Sequence, residues 1–307
     1  MIGRITTQMT AQNLLANINQ SLDRISTTQQ ELSTGKRINQ PSDDPYGTSL
    51  ALQLNGQLSD LTSYSNNITD GTGWAQTSDS ALSDMTNAVQ RIRELVVQAA
   101  NGTQSQTDMS ADASEVNQLI DQIKQDANSQ YNGQYVFSGS ATSTQPYQAG
   151  SNDAYAGNTG SVTRTIGPGT SISVNADVSS VLGTGQTTAG QPAGDGKLLN
   201  TLRNIVNDMQ SGNSTALSGN DLSQLDTNLN SLTGLSASVG ATVDRLQMAS
   251  SRIQALQASD TQVLSNTQDA DMAQTEINFS TQQAALTAAL QAGAHIVQQS
   301  LMDFLSG

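Results

Sequence analysis

The sequence predicts a mainly α protein with a β-rich insert: an elongated helical bundle built from the N- and C-terminal segments, with a small β domain between them. Apolar residues recur at helical spacing near both ends, whereas the middle is rich in glycine and short β-branched runs. Only 35% of the residues are hydrophobic and 3% aromatic. Because aromatic side chains bury the most area, this composition favours a thin helical body over a compact globule.

The first segment carries a coiled-coil pattern. From Ala11 to Leu32, the pattern positions follow one another at alternating spacings of four and three residues, which predicts one long helix with a buried seam. Gly35 suits the left-handed residue that ends such a helix. Pro41 and Pro45 then interrupt helical structure.

Further long helices are predicted downstream. The second runs from Tyr46 to Ala100 with an interruption around 70–73, and the third covers 109–131. Helical spacing returns after residue 197, with a long helix over 237–267 and a final amphipathic helix over 271–305.

The insert gives the chain three predicted parts. Short β-branched runs separated by glycine-rich turns predict strands at 135–137, 162–166 and 172–174. The terminal coiled-coil helices then occupy 1–40 and 270–307. A helical body takes 41–133 and 197–269, and a β-rich domain takes 134–196.

The apolar stripes of the two end helices are the candidate functional residues. These helices contain many Ser, Thr and Asn residues, which are weak helix formers, so we expect them to gain stability by packing on a partner. The alternative is that the stripes form an internal core. The predicted assembly interface consists of Leu15, Ile18, Leu22, Ile25, Leu32, Leu286, Leu290, Val297, Leu301 and Phe304.

Residues suited to chemistry are scarce. The chain has no cysteine and a single histidine, His295, so the usual zinc ligand sets and histidine-based nucleophile schemes are not predicted, and no cofactor is expected. Asp43 and Asp44 are predicted to cap a turn or a helix rather than to act as an acid/base pair, because neighbours in sequence usually point apart. We therefore expect a protein that is not an enzyme.

The charge and hydropathy patterns limit the partners. The net charge is −14, and the 12 basic residues are scattered, which argues against nucleic-acid binding. No apolar run reaches the length of a membrane helix, so membrane insertion is not expected. The N-terminal segment lacks the apolar stretch of a secretory signal peptide, which predicts retention in the cytoplasm or export without a cleaved signal peptide.

Several motifs resemble those of bacterial flagellins and their relatives. LSTGKRIN at 32–39, followed by SDD at 42–44, is similar to the signature after the first flagellin helix. QRIRELVVQAANGT at 90–103 resembles a second flagellin signature. VGATVDRL at 239–246 and DADMA at 269–273 look like the matching C-terminal helix and the entry to the terminal helix. The matches follow the family's order and span nearly all of the chain outside the insert.

Two features are similar to the hook-associated branch of the family, which joins the hook to the filament. They are the proline-flanked form PSDDP at 41–45 and QYVFSGS at 134–140. The 90–103 segment is strongly flagellin-like, so a short filament-forming flagellin is the alternative.

The resemblance implies a secreted structural subunit of the bacterial flagellum. Its implied partners are the first hook-associated protein, flagellin and copies of itself in a ring, together with a flagellar export chaperone and the export apparatus. Two other classes stay open on the residues alone. A secreted enzyme or binding module would place its function in 134–196, and a self-contained helical scaffold would keep both ends folded in the monomer.

Overall fold

The computed structural model describes the backbone of residues 2–185 and 195–305, and the side chains of Met9, 12–185 and 195–294. Helices dominate the described chain, and a small β region lies in its middle, as predicted. The helices are α1 Ile2–Thr34, α2 Pro45–Ala100, α3 Gln106–Ala127, α4 Ser179–Leu182, α5 Leu198–Ser211, α6 Ser214–Ala216, α7 Leu222–Gln268 and α8 Met272–Leu305, with a π-helical turn at Leu217–Asp221. The strands are β1 Gln130–Tyr131, β2 Gln134–Tyr135, β3 Thr163–Gly167 and β4 Thr170–Ser173.

The chain divides into two compact units. One comprises 1–60 and 256–307, and the other comprises 61–255. The second unit holds the main hydrophobic core, to which α2, α3, α5 and α7 contribute buried side chains. The three-part division predicted from the sequence remains a prediction.

The helix α2 runs through the predicted interruption at 70–73 without a break, so that expectation was wrong. Gly71 and Gly73, which lie in this segment, allow close packing instead. A Cβ added to Gly73 would lie 2.6 Å from the Tyr131 hydroxyl oxygen, and one added to Gly71 would lie 3.1 Å from a Val174 methyl group. The two glycines therefore let neighbouring segments approach the helix backbone.

The β3–β4 hairpin is fixed to α2 by a charged pair. Arg164 on β3 donates from Nε to Asp70 Oδ2 at 2.7 Å, and its guanidinium lies 5.9 Å from the centre of the Trp74 ring. Trp74 is fully buried and meets Tyr131 edge-on, with ring centres 6.2 Å apart. These contacts join the hairpin, the short β1 strand and α2 around one tryptophan.

The β structure is sparser than the sequence predicted. The described insert forms two separate two-stranded antiparallel sheets, β1–β2 and β3–β4. Of the predicted strand at 135–137, only Tyr135 lies in a strand, and Val136 and Phe137 lie buried in turns, with the Val136 amide donating to the carbonyl oxygen of Ser129 at 3.1 Å. The other two predicted strands are present as β3 and β4, each within one or two residues of its predicted bounds.

Two helix boundaries also differ from the prediction. The helix α3 ends at Ala127 rather than near 131, because the chain there turns into the β1–β2 hairpin. That turn contains Asn132 and Gly133, both with positive φ. The helix α7 begins at Leu222 and merges two segments that the sequence pattern separated.

A buried ion cluster holds the insert loop against α3 and α5. Lys124, which is 1% exposed, pairs with Asp153 and donates to the carbonyl oxygen of Asn152 at 3.0 Å. Arg203 donates to both carboxylate oxygens of Asp153, at 2.9 and 3.0 Å. Burial would raise the pKa of Asp153, but the hydrogen bonds from Arg203 and Lys124 hold it below its usual value. The cluster is satisfied internally, so we assign it a structural role.

A second acidic group is buried with no such compensation. Asp221 ends the π-helical turn and is 3% exposed, and its Oδ2 atom has no hydrogen-bond partner in the structure as it stands. The pKa of Asp221 is raised to about 6, mainly by burial. The hydrogen bond to the Asp208 carboxyl group and the charge of that group act in the same direction. The two carboxyl groups can therefore bond only when they share a proton.

Replacement of glycine by alanine should have opposite effects on stability at Gly73 of α2 and at Gly234 of α7. Gly73→Ala should lower the free energy of unfolding by about 1–3 kcal/mol because its Cβ overlaps Tyr131. The control is Gly234→Ala in α7, where no atom lies within 4 Å of the added Cβ, and which should raise stability by up to about 1 kcal/mol. Denaturant unfolding followed by fluorescence of the single tryptophan measures both. Equal effects would contradict the packing account.

The buried Asp221 predicts that the second unit gains stability in mild acid. A carboxyl pKa raised on folding means that the folded state binds more protons, so stability falls as pH rises through about 6. Unfolding at pH 5.0 and 7.5 should show a higher midpoint at pH 5.0. In Asp221→Asn this difference should shrink, with a gain at pH 7.5 of the order of 1 kcal/mol. An unchanged pH dependence in the variant would exclude Asp221 as its source.

Candidate assembly surface

The links that join α1 to α2 and α7 to α8 are paired with each other. Lys36 and Asp269 form an antiparallel bridge. On either side of it, the Arg37 amide donates to the carbonyl oxygen of Gln268 at 2.8 Å, and the Ala270 amide donates to that of Gly35 at 2.9 Å. Gly35 has a φ of 71°, the left-handed conformation that ends α1 and turns the chain into this bridge.

The two acids of the first link hold it in shape. Asp43 Oδ2 accepts from the backbone amides of Asn39 at 3.0 Å and Gln40 at 2.9 Å, and these bonds, that from Gln40 first, lower its pKa. Asp44 caps α2 by accepting from the Gly47 amide at 2.8 Å, which lowers its pKa, and it also pairs with Arg37 at 3.3 Å. The predicted turn and capping role of both residues is confirmed.

The second link is organised in the same way. Asp271 accepts from the backbone amides of Ala273 and Gln274, at 3.0 and 3.1 Å, and so caps the N-terminus of α8. The two links therefore contain the motifs at 32–44 and 269–273. These motifs pair the links with each other and begin the helices α2 and α8.

Beyond the links, α1 and α8 pack together along a closed seam. On each helix the less exposed positions recur at spacings of four and three residues, as in a coiled coil. Thr28, which is 6% exposed, donates from its hydroxyl to Gln282 Oε1 at 3.0 Å. The inner seam is Leu14, Ile18, Ser21, Ile25, Thr28 and Leu32 on α1, and Thr275, Phe279, Gln282, Leu286, Ala289 and Gly293 on α8.

The far end of the described seam is tightly packed. A Cβ added to Gly293 would lie 2.7 Å from a Leu14 methyl carbon. Gly293 therefore provides the space that receives the Leu14 side chain. Small residues at such a position let two helix backbones approach closely.

A second apolar stripe lies outside the seam. Leu15 is 61% exposed and Leu22 is 48% exposed. The two residues lie one heptad apart on α1, and at about 100° per residue they are roughly a quarter turn from the inner seam. On α8, Leu290 is 51% and Met272 is 47% exposed. We call Leu15, Leu22, Met272 and Leu290 the outer stripe.

The predicted interface residues fall into three groups. Ile18, Ile25, Leu32 and Leu286 lie in the inner seam, whereas Leu15, Leu22 and Leu290 lie on the outer stripe. Val297, Leu301 and Phe304 lie within α8, but their side chains, like that of His295, are outside the described residues. Their predicted role in assembly remains a prediction for all ten.

The inner seam includes residues that the sequence pattern did not single out. Leu14 and Thr28 of α1 were missed because the neighbouring heptad of that helix, which runs through Leu15, is more apolar. Gln282 and Gly293 of α8 were missed because they are polar or lack a side chain. The sequence signal that could have identified the inner seam was a second heptad repeat in α1, which overlaps the first and has small and polar residues at some positions.

The described residues offer little for other chemistry. Among the side chains that the structure describes (Met9, 12–185 and 195–294), no group of three or more His, Asp or Glu could hold a metal ion. Among the described helices, none is long and apolar enough to cross a membrane.

Comparisons with known proteins agree with this architecture. Residues 5–142 match the bacterial flagellin N-terminal helical region. A 77-residue segment is 35% identical to a B-type flagellin of Pseudomonas aeruginosa, but it spans only 25% of this chain and 16% of that protein.

Solved structures share the fold over most of the chain. A putative flagellar hook-associated protein from Vibrio parahaemolyticus superposes with a TM-score of 0.63 at 20% identity, covering 74% of this chain and all of that one. Bacillus cereus FlgL gives a TM-score of 0.59 at 19% identity, over 69% of this chain and 99% of its own. Residues 5–142 thus resemble the bacterial flagellin N-terminal helical region, and the chain shares its fold with the FlgL-type hook-associated proteins.

Proposed function

We propose that this chain is a structural subunit of the bacterial flagellum that forms the junction between the hook-associated zone and the filament. The observation that carries the proposal is the pair of end helices, which close one apolar seam within the chain and leave a second apolar stripe exposed. The fold shared with FlgL-type proteins supports the junction role over other assemblies. The proposed role requires no catalysis.

The outer stripe supplies the driving force for assembly. Fully burying a leucine side chain contributes about 1.5–3 kcal/mol, and Leu15, Leu22 and Leu290 are each about half exposed or more. In a ring, every subunit buries the same stripe against a neighbour, so the contribution repeats around the ring. Each interface is weak alone and becomes stable through repetition.

The three predicted parts of the chain take separate roles in this assembly. The terminal segments 1–40 and 270–307 build the inner tube, and 41–133 with 197–269 form the surrounding helical layer. The insert at 134–196 faces outward. The subunit binds the first hook-associated protein on one side and flagellin on the other.

Delivery to the growing tip follows from the same proposal. The subunit is exported through the flagellar export apparatus with the help of a chaperone, and without a cleaved signal peptide. A chain with no cysteine forms no disulfide that would obstruct passage in an extended state.

A short filament-forming flagellin is the alternative function. The match of residues 5–142 to the flagellin N-terminal region favours it, as does the local identity to a B-type flagellin. The two functions differ in what the purified chain does alone. A flagellin polymerises into long filaments, whereas a junction subunit waits for its hook-end partner.

The outer stripe predicts a specific loss of assembly. Leu15→Asn with Leu22→Asn should lower co-sedimentation with the first hook-associated protein at least about tenfold, since two leucines no longer become buried at each contact. The inner seam is untouched, so circular dichroism of the monomer should change little. Negative-stain electron microscopy of the unmodified chain alone should show no long filaments.

The matched control places the same residue type on exposed positions nearby. Ala16→Asn with Ser26→Asn should assemble as the unmodified chain does, because neither side chain belongs to the seam or the stripe. Equal loss in both double variants would contradict the role of the stripe. Long filaments formed without a partner would instead favour the flagellin alternative.

A further inference from the structure

The helix α1 carries two overlapping heptad faces, and the structure uses the less apolar one. Both faces share Ile18, Ile25 and Leu32, and they differ at three layers. The inner seam has Leu14, Ser21 and Thr28 at those layers, whereas the rotated face has Leu15, Leu22 and Gln29.

Apolar burial alone favours the rotated face. It would replace Ser21 by Leu22 in the seam, and one buried leucine contributes about 1.5–3 kcal/mol. Leu15 would replace Leu14 at no loss of apolar volume. The observed pairing must therefore depend on the remaining layer, where Thr28 or Gln29 would face α8.

At that layer the seam is fitted to a small polar residue. Thr28 lies opposite Gln282, with 3.0 Å between Oγ1 and Oε1, and its hydroxyl also lies 2.8 Å from the Arg24 carbonyl oxygen of its own helix. Thr28 is only 6% exposed, so this contact is made away from water. The layer thus holds one long amide and one short hydroxyl, whose single proton is shared between the two acceptor oxygens.

The rotated face would place two long amides in this layer. Gln29 opposite Gln282 needs more room between the helices than Thr28 does. The small residues farther along the seam, Ala289 and Gly293, hold the helices close together. At the layer of Gln29 and Gln282 the helices would therefore have to move apart, or one amide would remain buried without a hydrogen-bond partner, at a cost of about 1–3 kcal/mol.

We propose that Thr28, through its contact with Gln282, determines which face of α1 closes on α8 and so keeps Leu15 and Leu22 free for a neighbouring copy of this chain. A single polar position that specifies pairing at some expense of stability is an established device in coiled coils. The use of the freed leucines rests on the proposed function. The choice of face is a property of one chain and is tested separately.

The test exchanges two neighbouring residues without changing the composition. Thr28→Gln with Gln29→Thr moves the short hydroxyl to the rotated face and the long amide to the inner seam. The closed face should then switch, so that Leu15 and Leu22 become buried and Leu14 becomes exposed.

Disulfide formation reports which face is closed, since the chain has no cysteine of its own. Ser21 and Ala289 each lie one heptad from the Thr28–Gln282 contact, so Ser21→Cys with Ala289→Cys reports the inner seam. Leu22→Cys with Ala289→Cys reports the rotated face. Rates are measured in the full chain under mild oxidation, with the urea-unfolded chain as reference.

In the unmodified background, the pair at 21 and 289 should form faster than the pair at 22 and 289. The exchange at 28 and 29 should change the ratio of the two rates by about tenfold in favour of the pair at 22 and 289. A change of this size corresponds to the free energy of burying one side chain. The control exchange Thr27→Gln with Gln30→Thr, at two exposed positions, should leave the ratio unchanged.

An unchanged ratio after the exchange at 28 and 29 would overturn the proposal. The same holds if neither pair forms faster than in the unfolded chain, because no face would then be selected. A shifted ratio combined with normal assembly of the exchanged variant would retain the choice of face and contradict the proposed function of the outer stripe.

Discussion

The organisation of the first unit depends on the pairing of α1 with α8. The paired links fix where the two helices begin to run together, through the bridge between Lys36 and Asp269 and the amide bonds beside it. From there, a seam with several small or polar members brings the helices into contact. Because the seam buries little apolar surface per layer, the pair is only weakly stable alone. That weakness suits helices whose remaining apolar stripe, as we propose, is covered by another subunit.

The second unit is stabilised differently, by a continuous core and by polar groups whose partners lie far apart in sequence. The Lys124–Asp153–Arg203 cluster joins α3, the insert and α5, and the Asp70–Arg164 pair fixes a hairpin to α2. Removing one member of the buried Lys124–Asp153–Arg203 cluster would leave an uncompensated charge, so this cluster constrains how α3, the insert and α5 are arranged. The contrast indicates a firmly folded body that carries marginally stable ends.

The sequence predicted the long helices, their caps and the glycine end of α1, because these are local features. It placed a break at 70–73 because glycine lowers helix propensity, and only the fold shows that Gly71 and Gly73 admit Val174 and Tyr131. Only part of the candidate assembly surface could be predicted from the sequence. Periodicity identified the correct helices, but it chose the more apolar face of α1, since a contact such as that between Thr28 and Gln282 joins residues too distant for pattern analysis.

The most direct test of the account is backbone hydrogen exchange, read by mass spectrometry, on the monomer and on the ring that we propose it forms with the first hook-associated protein. We expect rapid exchange over 12–34 and 272–294 in the monomer, strong protection of the same segments in the assembly, and a body over 61–255 that is protected in both. Equal and strong protection of both end helices in the monomer would contradict the account, because the ends would then be stable without a partner.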